Sequence, residues 1–309
     1  MPAASFLTVF LPTASLLLAA TGVAVSKEVP RDAAQAAEVS TVVWAVGDNC
    51  DKYDAPVDCD DVGRLIAQDT DTDAVLALGD LQYVNGSLAL FNRYYDPKMG
   101  SGKGLKAKTY PAPGNHEYLT SGATGYFDYW QGRAGDRSRG YYGVTIGGWQ
   151  VVAANSMCAE VGGCKAGSPQ GRFIADYLGR AGTCELVFDH HPAFSDGGQG
   201  DSAEGKALFN VTYQSRGELF LSGHDHNYQR FAPRLPNGAV SVSEGVRQFV
   251  IGTGGKDLTG YKPDKHRTQY RQNVQFGALR LELTATGYQA RFLSVDGATM
   301  DTASGTCHS

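Results

Sequence analysis

The chain has 309 residues, of which 42% are apolar and 19% charged, and a net charge of −5. That length and apolar content support one large core, and no repeat, low-complexity linker or shift in composition divides it. The mildly acidic balance, with no basic run, excludes a nucleic-acid backbone as the main partner, because such binding is driven by phosphate neutralisation; an anionic substrate must be attracted locally.

The chain opens with an uncharged apolar stretch from Phe6 through Leu16-Leu17-Leu18 to Val25, followed by small-residue sites at Ala24-Val25-Ser26 and Ala34-Gln35-Ala36. Residues 1–36 therefore read as a signal peptide, either cleaved or kept as an anchor, ahead of a single catalytic domain over 40–309 in a secreted or extracytoplasmic protein. Short apolar runs at Val42–Val46, Ala74–Leu78, Val151–Ala154, Glu185–Phe188, Leu219–Leu221 and Gln248–Ile251 predict buried strands. Helix-compatible stretches at Asp60–Asp69, Leu88–Tyr95 and Gln170–Leu178 alternate with them, as in α/β layers. Farther on, Ala278–Thr284 and Tyr288–Val295 predict an antiparallel hairpin turning at Thr286-Gly287. The expected core is two packed sheets flanked by helices. The aromatic cluster Tyr126-Phe127-Asp128-Tyr129-Trp130, with Tyr141-Tyr142, reads as core.

Six cysteines fit an oxidising compartment. Six allow fifteen pairings. Short separations favour Cys50 with Cys59 and Cys158 with Cys164, which leaves Cys184 for Cys307 and would tie the tail to a central strand. Asn85-Gly86-Ser87 and Asn210-Val211-Thr212 are glycosylation sequons if the host modifies exported proteins.

Five of the seven histidines lie in Gly114-Asn115-His116-Glu117, Asp189-His190-His191-Pro192 and Gly223-His224-Asp225-His226, preceded by Gly47-Asp48 and Gly79-Asp80. Carboxylates, an amide oxygen and imidazoles are what two adjacent cations need when one is hard and the other exchanges water readily. A carboxylate shared between them, for which Asp80 is the candidate, holds such a pair close enough to bind both a hydroxide and a substrate oxygen. Asp48, Asp80, His190 and His224 follow strand runs, where α/β sheets gather residues from distant positions.

Together with Gly79-Asp80-Leu81-Gln82-Tyr83 and Val187-Phe188-Asp189-His190, these blocks resemble the five motifs of the purple acid phosphatases, over residues 42 to 255. That family is a branch of the calcineurin-like metallophosphoesterases, so the resemblance implies an α/β sandwich of two packed mixed β-sheets flanked by helices. Most relatives carry Asp-x-His in the first block. Here Cys50 stands in the histidine's place, while Tyr83 matches the Gly-Asp-x-x-Tyr of the purple enzymes. A phenolate is a hard anionic donor suited to trivalent iron.

The resemblance implies one cation on Asp48, Asp80, Tyr83 and His226 and another on Asp80, Asn115, His190 and His224. The cofactors would be two metal ions, Fe(III) at the Tyr83 site with Zn, Mn or Fe(II) at the other, and no nucleotide cofactor. His190 is chosen over His191 as the ligand because the family places it two residues before the proline. His116 would overhang the pair, contacting the phosphate or protonating the leaving group, with Glu117 orienting it. Phe194-Ser195-Asp196-Gly197-Gly198 lacks the further histidine of mammalian-type members. Cys50 would pin the Asp48 loop through a disulfide rather than serve as a thiolate ligand. The expected function is an exported dinuclear metallophosphatase, a phosphoric monoester hydrolase acting on small phosphorylated substrates by attack of a metal-held hydroxide. The alternatives are a phosphodiesterase or nucleotidase with the same metals, and a non-catalytic metal- or phosphate-binding protein.

Overall fold

Strand β1 (Thr41–Val46) is buried from Val42 onward, as a central strand covered on both faces must be. In the computed structural model, residues 40–52, 58–179 and 183–308 are described, with positions 5, 7–9 and 11 before them. The expected signal segment lies largely outside the described residues, and Glu38–Ser309 gather into one compact unit. Among the described residues no helix is long and apolar enough to cross a membrane.

The other strands are β2 (Thr72–Leu78), β3 (Thr109–Ala112), β4 (Tyr142–Ile146), β5 (Trp149–Ala153), β6 (Glu185–Phe188), β7 (Leu219–Ser222), β8 (Tyr228–Arg230), β9 (Arg247–Ile251), β10 (Tyr270–Gln272), β11 (Gly277–Leu283), β12 (Gly287–Ser294) and β13 (Thr299–Thr306). They form two sheets, ordered β13-β12-β11-β1-β2-β3 and β10-β8-β9-β7-β6-β5-β4. Both are mixed. β1, β2 and β3 run parallel, as do β5, β6, β7 and β9, while the remaining pairings are antiparallel.

The period of two along a strand sorts side chains between two cores. Leu186, Phe188, Leu219, Leu221, Phe249 and Ile251 join Val43, Leu76 and Leu279 of the other sheet in the large central cluster. Their alternating neighbours Val187, Phe220 and Val250 pack outward with Ile174, Leu178, Leu208 and Phe209. Those partners come from helices Pro169–Leu178 and Ala203–Gln214, the latter not anticipated from the sequence. Phe127, Tyr126, Tyr129 and Trp130 are buried in the central cluster.

Helix Cys59–Gln68 starts at an Asp58 cap that accepts from the Asp60 amide at 2.8 Å, while Asp61 reciprocates toward the Asp58 amide at 3.1 Å. The helical run from Leu88 to Tyr95 is split by a π turn over Phe91–Tyr95 and continues through Asp96–Met99. Three disulfides close Cys50–Cys59, Cys158–Cys164 and Cys184–Cys307, the last joining the tail to the residue just before β6.

Candidate metal centre

Parallel strands end on one side of each sheet, and the residues beyond those ends converge. Asp48 lies two residues past β1, Asp80 two past β2, Asn115 three past β3, His190 two past β6 and His224 two past β7. Asp48, Asp80 and His224 hold left-handed backbone, with φ of 58°, 49° and 71°. For non-glycine residues this costs about 1–3 kcal/mol each, and such outliers concentrate at functional sites. Two glycines allow the crowding. A Cβ on Gly79, itself at φ +80°, would meet the His190 side chain at 2.7 Å, and one on Gly114 would meet Asp80 Oδ1 at 2.2 Å.

Both aspartates divide their oxygens. Asp48 Oδ2 accepts from the His224 amide at 2.7 Å and Asp80 Oδ1 from the His116 amide at 2.8 Å. Asp48 Oδ1 and Asp80 Oδ2 are thereby turned toward the side chains. Tyr83 Oη sits 2.9 Å from Asp48 Oδ1, 3.2 Å from Asp80 Oδ2 and 3.0 Å from His226 Nε2. On the other side, His190 Nε2 lies 3.2 Å from Asp80 Oδ2, 3.1 Å from Asn115 Oδ1 and 3.2 Å from His224 Nδ1. The seven side chains therefore fall into two groups that share one atom, Asp80 Oδ2.

Tautomers sharpen the chemistry. His190 Nδ1 is 2.9 Å from the Leu78 carbonyl and His226 Nδ1 is 2.9 Å from the Asp257 carbonyl. A carbonyl oxygen only accepts, so both Nδ1 atoms carry hydrogens and each ring turns Nε2 toward the oxygens of the cluster: His190 toward Asp80 and Asn115, His226 toward Asp48 and Tyr83. Positive charge between these atoms, a proton or a metal ion, makes the arrangement favourable, and a donor set of carboxylates, phenol, amide oxygen and imidazoles fits two metal ions.

Ionisation points the same way. Burial lowers the His190 pKa, but the charge of Asp80 and its hydrogen bond overcome this and push it up to about 10. A proton thus stands where a cation would. Burial, reinforced by Asp48 and Asp80, holds the Tyr83 phenol well above its usual value, so releasing its proton requires a strongly charged ion nearby. Burial and the neighbouring His190 lower His224 to about 4, which leaves a neutral donor. Asp189 is fully buried, and burial pushes its carboxyl well above the ordinary range, so it adds no charge.

His116 Nε2 stands 3.8 Å from Asp80 Oδ2, with its ring 4.4 Å from that of Tyr83. Its Nδ1 is 2.5 Å from the Val84 carbonyl. Glu117 does not orient this ring, contrary to the sequence expectation. Its carboxylate accepts from the amides of Asp80 and Leu81 at 2.9 Å, Gln82 at 3.3 Å and Gly114 at 2.7 Å, fastening the β2 loop to the β3 loop. His191 packs beside His224, with ring centroids 4.3 Å apart, and its Nδ1 meets Ser156 Oγ at 2.8 Å. Cys50 is committed to its disulfide with Cys59. Past β9, Gly252 donates its amide to the Asn227 carbonyl and Gly254 to that of Gly47, which ties this turn to the loops that carry His226 and Asp48.

Known proteins resemble this chain in sequence or in fold. A nucleotide pyrophosphatase/phosphodiesterase of Hordeum vulgare is 25% identical over 64% of this chain, which spans 61% of that protein. Among solved structures, purple acid phosphatase PPD1 from yellow lupin (Lupinus luteus) seeds superposes with a TM-score of 0.76 at 19% identity, over 88% of this chain and 54% of that one. GAP50, the anchor in the inner membrane complex of Plasmodium, gives 0.67 at 14% identity, over 87% and 90%. The sequence model of the calcineurin-like phosphoesterases matches residues 41–228, which is more than half of the chain. With two mixed sheets and donors gathered at their strand ends, this chain belongs to the calcineurin-like phosphoesterase family.

Proposed function

We propose that the chain is an exported two-metal phosphatase of the purple acid type that hydrolyses phosphate monoesters. The observation that carries this reading is Asp80 Oδ2, at 3.2 Å from both Tyr83 Oη and His190 Nε2. Asp48, Asp80, Tyr83 and His226 would hold a ferric ion, and Asp80, Asn115, His190 and His224 would hold zinc, manganese or ferrous iron. Bound there, the cations would supply an acidified water as nucleophile and neutralise charge on the phosphoryl oxygens. Three anionic donors against a trivalent and a divalent ion leave about two positive charges, enough to draw a phosphate into an acidic chain.

The chain's own residues aim and hold. Asp80 would serve both cations, and the Leu78 and Asp257 carbonyls hold the Nδ1 sides of His190 and His226, which leaves each Nε2 on the side of the cluster where a cation would be held. With Nδ1 tied to Val84, His116 holds Nε2 3.8 Å from Asp80 Oδ2, a position from which it would meet the phosphate or give a proton to the departing oxygen. The three disulfides support an oxidising, extracytoplasmic location.

The barley relative supports a second reading, cleavage of nucleotide diesters by the same centre. Turnover of p-nitrophenyl phosphate, bis-p-nitrophenyl phosphate and a nucleotide diester, with metal analysis on wild type and Asp80→Asn, separates the readings. Monoester preference with metal and activity lost together in the variant is expected. Full turnover in Asp80→Asn refutes the bridge, and a diester preference replaces the first reading with the second.

A further inference from the structure

A cavity of about 690 Å³ lies between the segment after β6, the turn after β8 and the segment before β10. None of its lining residues belongs to the metal centre. Its lining carries Lys206, Arg234, Lys265, His266 and Arg267 against one carboxylate, Asp201, in a chain whose overall charge is negative. Lys206 Nζ and Lys265 Nζ both stand 2.8 Å from Asp201 Oδ2, and His266 Nε2 stands 2.6 Å from Oδ1. One carboxylate thus pins two ammonium groups side by side, and each keeps hydrogens to donate elsewhere.

Arg234 is only 4% exposed; against this burial the charges of Asp196, Asp264 and Asp201 favour its ionised form, but among the described residues none of them pairs with it directly. Its guanidinium donates to the carbonyls of Gly238 and His266 and lies over the Phe194 and Phe231 rings, while Nε is buried without a partner. A buried cation in that state is stabilised by an incoming anion. Pro236, Ala239 and the 58%-exposed Val240 supply an apolar side to the same cavity, whose volume suits a small ligand.

We propose that this cavity is a second anion site, taking a small organic phosphate or phosphonate. The charged head meets Lys206, Lys265 and Arg234, and the apolar body lies against Pro236 and Val240. Equilibrium dialysis of the full chain with phenylphosphonate, whose phosphorus–carbon bond resists hydrolysis, counts the sites. The Lys206→Gln/Lys265→Gln protein should show one site fewer than wild type, or the same site weakened by roughly ten-fold per lysine removed, with thermal unfolding unchanged. Val240→Ser should weaken phenylphosphonate binding there and leave inorganic phosphate unaffected. Identical site number and affinity in wild type and the double variant overturn the proposal. Equal affinity of that site for phosphate and phenylphosphonate overturns the role given to the apolar side.

Discussion

Replacing Glu117 by glutamine leaves the side-chain volume almost unchanged but converts one of two acceptor oxygens into a donor. The carboxylate receives two amides on each oxygen, from Leu81 and Gln82 on Oε1 and from Asp80 and Gly114 on Oε2. A carboxamide can satisfy only one of these pairs, so two charge-assisted hydrogen bonds are lost at about 1.5–3 kcal/mol each. Against that, burial and then the charge of Asp80 push the Glu117 pKa up to about 7, so keeping it ionised near neutrality costs on the order of 3 kcal/mol, which the variant escapes. Global stability should therefore fall by only about 0–3 kcal/mol. Metal retention should suffer more, because the amides left facing the new donor without an acceptor belong to the loops that aim Asp80 and Asn115. A loss of about 10–100-fold in metal affinity is expected. Urea unfolding of the metal-free protein and chelator competition on the loaded protein measure the two effects separately. Unchanged metal affinity alongside a large loss of stability would refute the reasoning, since Glu117 would then be a core group with no hold on the centre.

Further variants test other links. Tyr83→Phe should abolish the phenolate-to-iron visible band and weaken ferric binding while leaving the fold intact; an iron-loaded wild type with no such band sinks the ferric assignment. Replacing Cys184 and Cys307 together by serine opens a link with a sequence separation of 123 and should lower stability by about 2–4 kcal/mol in urea melts, a change under 1 kcal/mol counting against it. Glu185 offers a pH test. Burial, and then the charge of Glu218, raise its pKa to about 8 from 4.5, so the folded state binds the extra proton. Its contribution to stability is full below pH 4.5 and declines as the pH climbs to about 8. Glu185→Gln should flatten the fall in urea midpoint across that window, and parallel profiles for the two proteins would dismiss the effect.

Much of the fold was legible because central strands are continuous apolar runs: β1, β2, β6, β7 and β9 all stand out. The elements that escaped sit at edges or carry mixed residues. β3 contains Pro111, whose missing donor is tolerable only because β3 ends its sheet, and β13, with the pattern TMDTASGT, is an edge strand too. Helix Ala203–Gln214 buries Gly205 and Thr212 beside Leu208 and Phe209, so no clean apolar stripe announces it. The residues that converge at the candidate centre could be read because each occupies a short motif at a strand end. Glu117 was visible, but its partner was not, since the amide it holds at Asp80 lies 37 positions back in the chain. The cluster around Asp201 and Arg234 drew on three separate segments without any motif.

Asp48 and Asp80 each spend one oxygen on the backbone of a neighbouring loop and present the other inward. The socket is consequently cut to shape by the polypeptide itself, before any ion enters. If ions occupy it as proposed, stripping them with a chelator should leave these loops standing, because the backbone contacts that shape the socket do not pass through the ions.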